Sequence, residues 1–221
     1  MWFKFMTLFY RLQMQVLKPF GSHFLNPKLS ITICEQNKTI AEAMAQGFSD
    51  IEGVEVICGD IFKLSADVIV SPANSFGDMG GGLDKKIDDF FGGKIQPLIQ
   101  QHIHENYWGE MPVGIASVLA LNHQQFKHLI LAPTMRIPGN VSQTLNAYLA
   151  MWAILVAANL QCLKNKNSLS KIVMTSLCTG IGGMDYVQAA FQMKTACRQV
   201  LLDEWKKVVH PVMAPFSSYK F

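Results

Sequence analysis

Hydrophobic and polar positions along this chain switch repeatedly between a two-residue and a 3.6-residue period. From Leu29 onward, short β-branched runs at residues 30–34, 54–58 and 67–70 read as strands. Between the first two, Ile40, Ala43, Met44, Gly47 and Phe48 share a helical face, and Thr39 with Glu42 reads as a capping box. Helices are expected over residues 83–91, closed by Gly92-Gly93, and around 95–104. Two further strands follow at 114–121 and 128–132. A long helix over about residues 141–163 is expected to turn Leu145, Leu149, Trp152, Val156 and Leu160 inward. Residues 171–175 form the last strand. A closing helix at 186–209, capped by Asp185, is expected to bury Val187, Phe191, Leu201 and Trp205. This alternation implies an α/β protein, a three-layer α/β/α sandwich around a mixed sheet of about six strands.

Composition narrows the class. The 221 residues suit one domain, assigned to 28–210, with an apolar extension at 1–27 and a tail at 211–221. Half the chain is hydrophobic and only 16% is charged, which argues against disorder. With a net charge of +3, the densest basic clusters are pairs such as Lys85-Lys86 and Lys206-Lys207, so no sequence-specific nucleic-acid track is expected. Five scattered cysteines without C-x-x-C suit reduced thiols in the cytoplasm. His102 and His104 stand two apart and make a poor metal pair, so no metal site is expected. Lys4 and Arg11 interrupt the apolar N-terminus before it reaches the roughly 18 residues of a membrane span. That segment reads as a packed or dispensable extension, or as an amphipathic helix on the domain or on a membrane surface.

Two loops carry the chemistry. In the first, a buried run ends at Pro72 and is followed by Asn74, the triplet Gly80-Gly81-Gly82, Leu83 and Asp84 at a helix start. The second runs through Leu177, Cys178, Thr179, Gly180, Ile181, Gly182 and Gly183. Neither fits G-x-G-x-x-G, and no G-K-[ST] follows. Both lie between a strand and a helix, where glycines admit a ligand to the backbone and unpaired N–H groups favour anions. Together they are placed to clamp one diphosphate from two sides.

Gly59-Asp60-Ile61 after a strand, Ala73-Asn74, Gly80-Gly81-Gly82-Leu83-Asp84 and Thr179-Gly180-Ile181-Gly182, in this order over about residues 29–208, resemble the macro domain family. That family binds ADP-ribose, and many members hydrolyse ADP-ribosyl linkages. The resemblance implies that Asp60 accepts from the adenine amino group, with the Ile61 backbone beside the ring. It places Asn74 on the distal ribose and residues 80–83, with Ala73, along the diphosphate and distal ribose. Cys178, Thr179, Gly180, Ile181, Gly182 and Gly183 would wrap the phosphates. Asp84 would orient water near the anomeric carbon, held ionised by the helix dipole and sharing the base role with a ligand phosphate.

Structural roles stay open for each of these: a turn or cap for Asp60, a turn for Asn74, a helix start for Asp84. The chain departs from the family at Ser71 and Pro72. Gly182 replaces an aromatic, leaving a more open site or a job for Phe76. Lys85 and Lys86 read as solvated helix surface, Cys178 as a buried thiol and Arg136 as surface, while Asn146 is a further candidate to face the ribose. The function expected is hydrolysis of an ADP-ribose conjugate at the distal ribose, without cofactor. The conjugate would be a mono-ADP-ribosyl ester, O-acetyl-ADP-ribose or ADP-ribose-1''-phosphate. The alternative is a reader that binds ADP-ribose, free or on a protein or metabolite, without turnover.

Overall fold

A computed structural model describes residues 29–165 and 169–218. Its strands are β1 (Ser30–Glu35), β2 (Val54–Cys58), β3 (Val68–Ser71), β4 (Ser117–Ala120), β5 (His128–Leu131) and β6 (Lys171–Met174). They form one sheet in the order β2-β1-β6-β3-β5-β4, parallel except for β4, which runs antiparallel to β5. The expected mixed six-stranded sheet is therefore present.

Period-two alternation sorts the sheet residues between two cores. Ile31, Ile33, Val68, Val70, Ile172 and Met174 face one layer, made by α1 (Lys38–Phe48), α4 (Asn146–Lys164) and α5 (Tyr186–Leu201). Ile69, Leu129, Leu131 and Val173 face the other, made by α2 (Gly82–Phe90) and α3 (Ile95–Tyr107). Strands covered on both faces must be apolar throughout, as residues 68–70 are. Gly47 lets α1 and α5 touch, since a Cβ there would lie 2.7 Å from Ala190 Cβ.

The local chemistry of several helices differs from the sequence reading. Asn37, not Thr39, caps α1: its side chain accepts from the N–H groups of Thr39 and Ile40. Glu42 instead pairs weakly with Lys38 at 3.7 Å. The α4 face is rotated from the expected one: Trp152 and Val156 do pack, partly buried, against the core. Leu149 and Leu160 do not, being 38% and 48% exposed, while Ala147, Ala150, Met151, Ile154, Leu155 and Ala158 are buried. This helix is apolar nearly all round, so periodicity alone does not choose its inner face; small alanines allow the closer approach. On α5 the buried residues are Ala189, Ala190, Met193, Ala196, Cys197 and Val200 with the polar Gln192 and Gln199, and both Val187 and Phe191 are exposed. That helix ends at Leu201 because Asp203 takes the left-handed conformation, φ 58°, and Trp205 falls in a separate 3-10 turn. Asp185 caps it as expected.

Residues 1–27 lie outside the described part. In the assigned tail, Phe216 packs edge-on against Tyr148 and Phe191. Among the described residues, α4 alone is long and apolar enough to cross a membrane, and half of it is buried against the sheet and α5. Because β1, β2, β3, β5 and β6 are mutually parallel, their carboxyl ends share one edge of the sheet, where ligands of such folds bind.

Candidate functional site

A single cleft of about 610 Å³ opens along that edge, and both glycine loops line it. Of the residues expected there, Ile61, Ala73, Asn74, Gly80, Gly81, Gly82, Leu83 and Asp84 come from one side. Cys178, Thr179, Gly180, Ile181 and Gly182 come from the other. Asp60 and Gly183 are not among the lining residues. Asp60 caps the 3-10 turn Ile61–Lys63 by accepting from Phe62 N at 3.0 Å. Gly183, at φ 63°, donates to Gly180 O at 3.0 Å and so closes the turn of the second loop.

Each loop presents unsatisfied amides. Among the described residues, no protein acceptor receives the N–H of Gly81, Gly82, Leu83 or Asp84 at the start of α2. The same holds for Thr179, Gly180, Ile181 and Gly182. The second loop holds its shape through Met184 N to Cys178 O, 2.9 Å, and Val141 N to Gly182 O, 2.8 Å. Space decides the glycines differently. A Cβ at Gly81 or Gly180 would meet nothing within 4 Å, whereas one at Gly182 would lie 2.5 Å from Cys178 O and 2.8 Å from Val141 Cγ2. No aromatic fits at position 182 because loop backbone and Val141 occupy its room. Phe76 does not take over the lid: it is 39% exposed, outside the cleft lining, with the Arg136 guanidinium 5.3 Å from its ring centre.

Asn74 is 6% exposed, and its amide is largely used by its own loop. Its Nδ2 donates to Asp78 O at 2.7 Å, and its Oδ1 accepts from Phe76 N at 3.1 Å and Asp78 N at 3.3 Å. One N–H remains for a ligand.

Asp84 lies in the first turn of α2 and accepts a 2.7 Å hydrogen bond from the Ser71 hydroxyl at the tip of β3. Burial pushes its carboxyl up from 3.8 to about 6, an effect opposed by the Ser71 bond and reinforced by the charge of Asp78. The helix N-terminus therefore does not hold Asp84 low, as the sequence suggested, because loss of hydration is larger. The carboxylate is still the majority form at neutral pH.

Several side chains lie outside the sequence reading. Lys86 lines the cleft and donates to Gln36 Oε1 at 3.1 Å, so it is not simply solvated surface, whereas Lys85 pairs with Asp89 on the helix exterior. Glu35, Thr175 and Ser176 also line the cleft. The signal for them was positional, since each sits at or just beyond the carboxyl end of a parallel strand. Cys178 is 5% exposed, and burial pushes its thiol up to about 12, which removes it as a nucleophile near neutral pH. All five cysteines are free thiols. Arg136 forms a bidentate pair with Glu110, and Asn146 donates to Thr134 O; neither lines the cleft. His102 is partly buried while its neighbour His104 is exposed, and among the described residues no cluster of potential metal ligands occurs.

Comparison with known proteins places this geometry. The family model of the Macro domain matches residues 70–193. An uncharacterized protein of Aquifex aeolicus is 32% identical over 146 residues, 66% of this chain and 81% of its own length. One from Pyrobaculum aerophilum is 34% identical over 152 residues, 68% of this chain and 78% of its own. Among solved structures, a mutant Oceanobacillus iheyensis macrodomain with ADPR aligns over 65% of this chain and 75% of its own, with 26% identity and a TM-score of 0.54. The macrodomain of Mycobacterium tuberculosis DarG shares the fold at 18% identity and a TM-score of 0.52, covering 64% of this chain and 87% of its own. With the family match spanning more than half of the sequence and both glycine loops, the chain belongs to the macro domain family.

Proposed function

We propose that this protein binds ADP-ribose in the cleft and hydrolyses an ADP-ribose conjugate at the distal ribose. The observation that carries the reading is the pair of unsatisfied amide rows, at residues 81–84 and 179–182, on residues that line one cavity. Backbone amides make short, strong hydrogen bonds to phosphate oxygens and need little rearrangement to do so. The similar Oceanobacillus iheyensis macrodomain with ADPR supports this ligand.

Asp84 supports the hydrolytic part. A carboxylate titrating near 6, beside the first glycine loop, is ionised at neutral pH and basic enough to draw a proton from water. The water oxygen bonds to the anomeric carbon, the bond from that carbon to the leaving oxygen breaks, and the leaving group departs with the electron pair. The water proton passes to Asp84. The remaining N–H of Asn74 is available to the ribose, and the amide rows hold the diphosphate, so positioning supplies much of the rate enhancement. The chain's free thiols fit a reducing compartment such as the cytoplasm.

The test is a screen of conjugates by linkage: carboxylate ester, acetyl ester and 1''-phosphate, with wild type and Asp84→Ala. Release of ADP-ribose from one class, reduced at least about 100-fold by the substitution, supports hydrolysis. Tight binding of ADP-ribose with no release from any class leaves a reader.

A further inference from the structure

Glu35, the last residue of β1, lines the cleft although the residue is only 8% exposed. Its Oε1 accepts twice from one residue, from Ser176 N and from Ser176 Oγ, each at 2.6 Å. Among the described residues, no donor reaches Oε2, and no Lys or Arg pairs with the group. Oε2 is not shut away from solvent, and as an acceptor without a protein donor on a cleft-lining residue it is open to a donor supplied by a ligand.

The position of Glu35 identifies which donor fits. On one side Ser176 Oγ lies 2.6 Å from Thr179 Oγ1, which fastens Glu35 to the base of the second glycine loop. On the other, Gly59 N donates to the Glu35 carbonyl at 2.8 Å, and the neighbouring wall is apolar: Ile61, and Phe62 stacked on Phe90. Glu35 thus stands between a phosphate-binding loop and an apolar surface suited to a flat base. In an adenosine diphosphate the group between phosphate and base is the ribose. The far end of the cleft, with Asp84 and Ser71, is left for the second sugar.

Resting on the ADP-ribose reading above, we propose that Glu35 Oε2 accepts hydrogen bonds from the vicinal hydroxyls of the adenosine ribose. Glu35 is then a specificity residue: an acceptor-only group that selects a ribose over a deoxyribose. Carboxylates at strand tips serve ribose hydroxyls in the same manner in other nucleotide folds.

Calorimetric titration of the full chain with ADP-ribose and with its analogue lacking both adenosine-ribose hydroxyls tests this. Wild type is expected to bind the dideoxy analogue at least about tenfold more weakly than ADP-ribose, the loss typical of a charge-assisted hydrogen bond. Glu35→Gln is expected to lose about tenfold for ADP-ribose yet change less than about twofold for the analogue. Equal losses for both ligands would mean that Glu35 only anchors the loop through Ser176, and would overturn the proposal. So would wild type binding the two ligands equally, a result that needs no variant to fold. If wild type binds neither ligand, the ADP-ribose reading itself has failed.

Discussion

The Ser71 hydroxyl donates a 2.7 Å hydrogen bond to Oδ1 of Asp84, joining the buried tip of β3 to the first turn of α2. Asp84 is a carboxylate losing hydration, and Ser71 is the one side chain that opposes the resulting upward shift. Ser71 thereby sets both the orientation and the basicity of the proposed water-activating group.

Replacing Ser71 with Ala removes that donor, so the Asp84 carboxyl rises above about 6. The ionised form is the active one in this mechanism, so activity falls as pH drops through the carboxyl's titration. Expected for Ser71→Ala is an acidic limb of the kcat/KM profile displaced upward by roughly one pH unit, since one unit corresponds to about 1.4 kcal/mol of differential interaction. A limb at an unchanged pH would separate the profile from Asp84.

The same shift has a signature in stability. A carboxyl at about 6 folded and near 3.8 unfolded means that the unfolded chain ionises first. Wild type therefore loses stability as pH rises from about 4 to 6, by at most roughly 3 kcal/mol. Asp84→Asn avoids this loss and is expected to be more stable than wild type at pH 8. The gap should close near pH 4. Chemical denaturation at the two pH values measures it, and a variant less stable at pH 8 would contradict the assignment of Asp84 as a strained ionised group.

Glycines in the two loops divide by the space around them. Gly81→Ala and Gly180→Ala place a methyl in open cleft and are expected to leave the melting temperature within about a degree while weakening ADP-ribose binding. Gly182→Ala drives a methyl against Cys178 O and Val141, and overpacking of that kind costs about 1–3 kcal/mol. Thermal melts with and without ligand distinguish the classes. An unaltered affinity in Gly81→Ala and Gly180→Ala would show that no ligand approaches those amides.

Asn74→Ala removes three hydrogen bonds that clasp residues 74–78. A stability loss of about 1–3 kcal/mol is expected together with any loss of turnover, because the freed Phe76 and Asp78 amides lose their acceptor. Urea unfolding of the variant checks this. Loss of turnover at wild-type stability would place Asn74 solely on the ligand.

The layered fold was readable because strand and helix periods differ sharply and because residues 68–70 are apolar without interruption. Both glycine loops were equally visible, since strand–glycine–helix order is local chemistry. The inner face of α4 was not: Leu149 and Leu160 compete with Ala147, Ala150 and Ala158, and only tertiary packing favours the smaller set. Nor were the Asp84 shift and the Glu35–Ser176 contact, which joins residues 141 apart in sequence. Such pairings depend on strand order, here β1 beside β6, and no single segment encodes that.

The most direct test of the central claim is an amide NMR titration of the wild-type chain with ADP-ribose. Convergence of the two loops on one diphosphate predicts that the N–H signals of residues 81–84 and 179–182 shift together, along one saturation curve. Shifts confined to one loop, different midpoints for the two, or no change in either would contradict it.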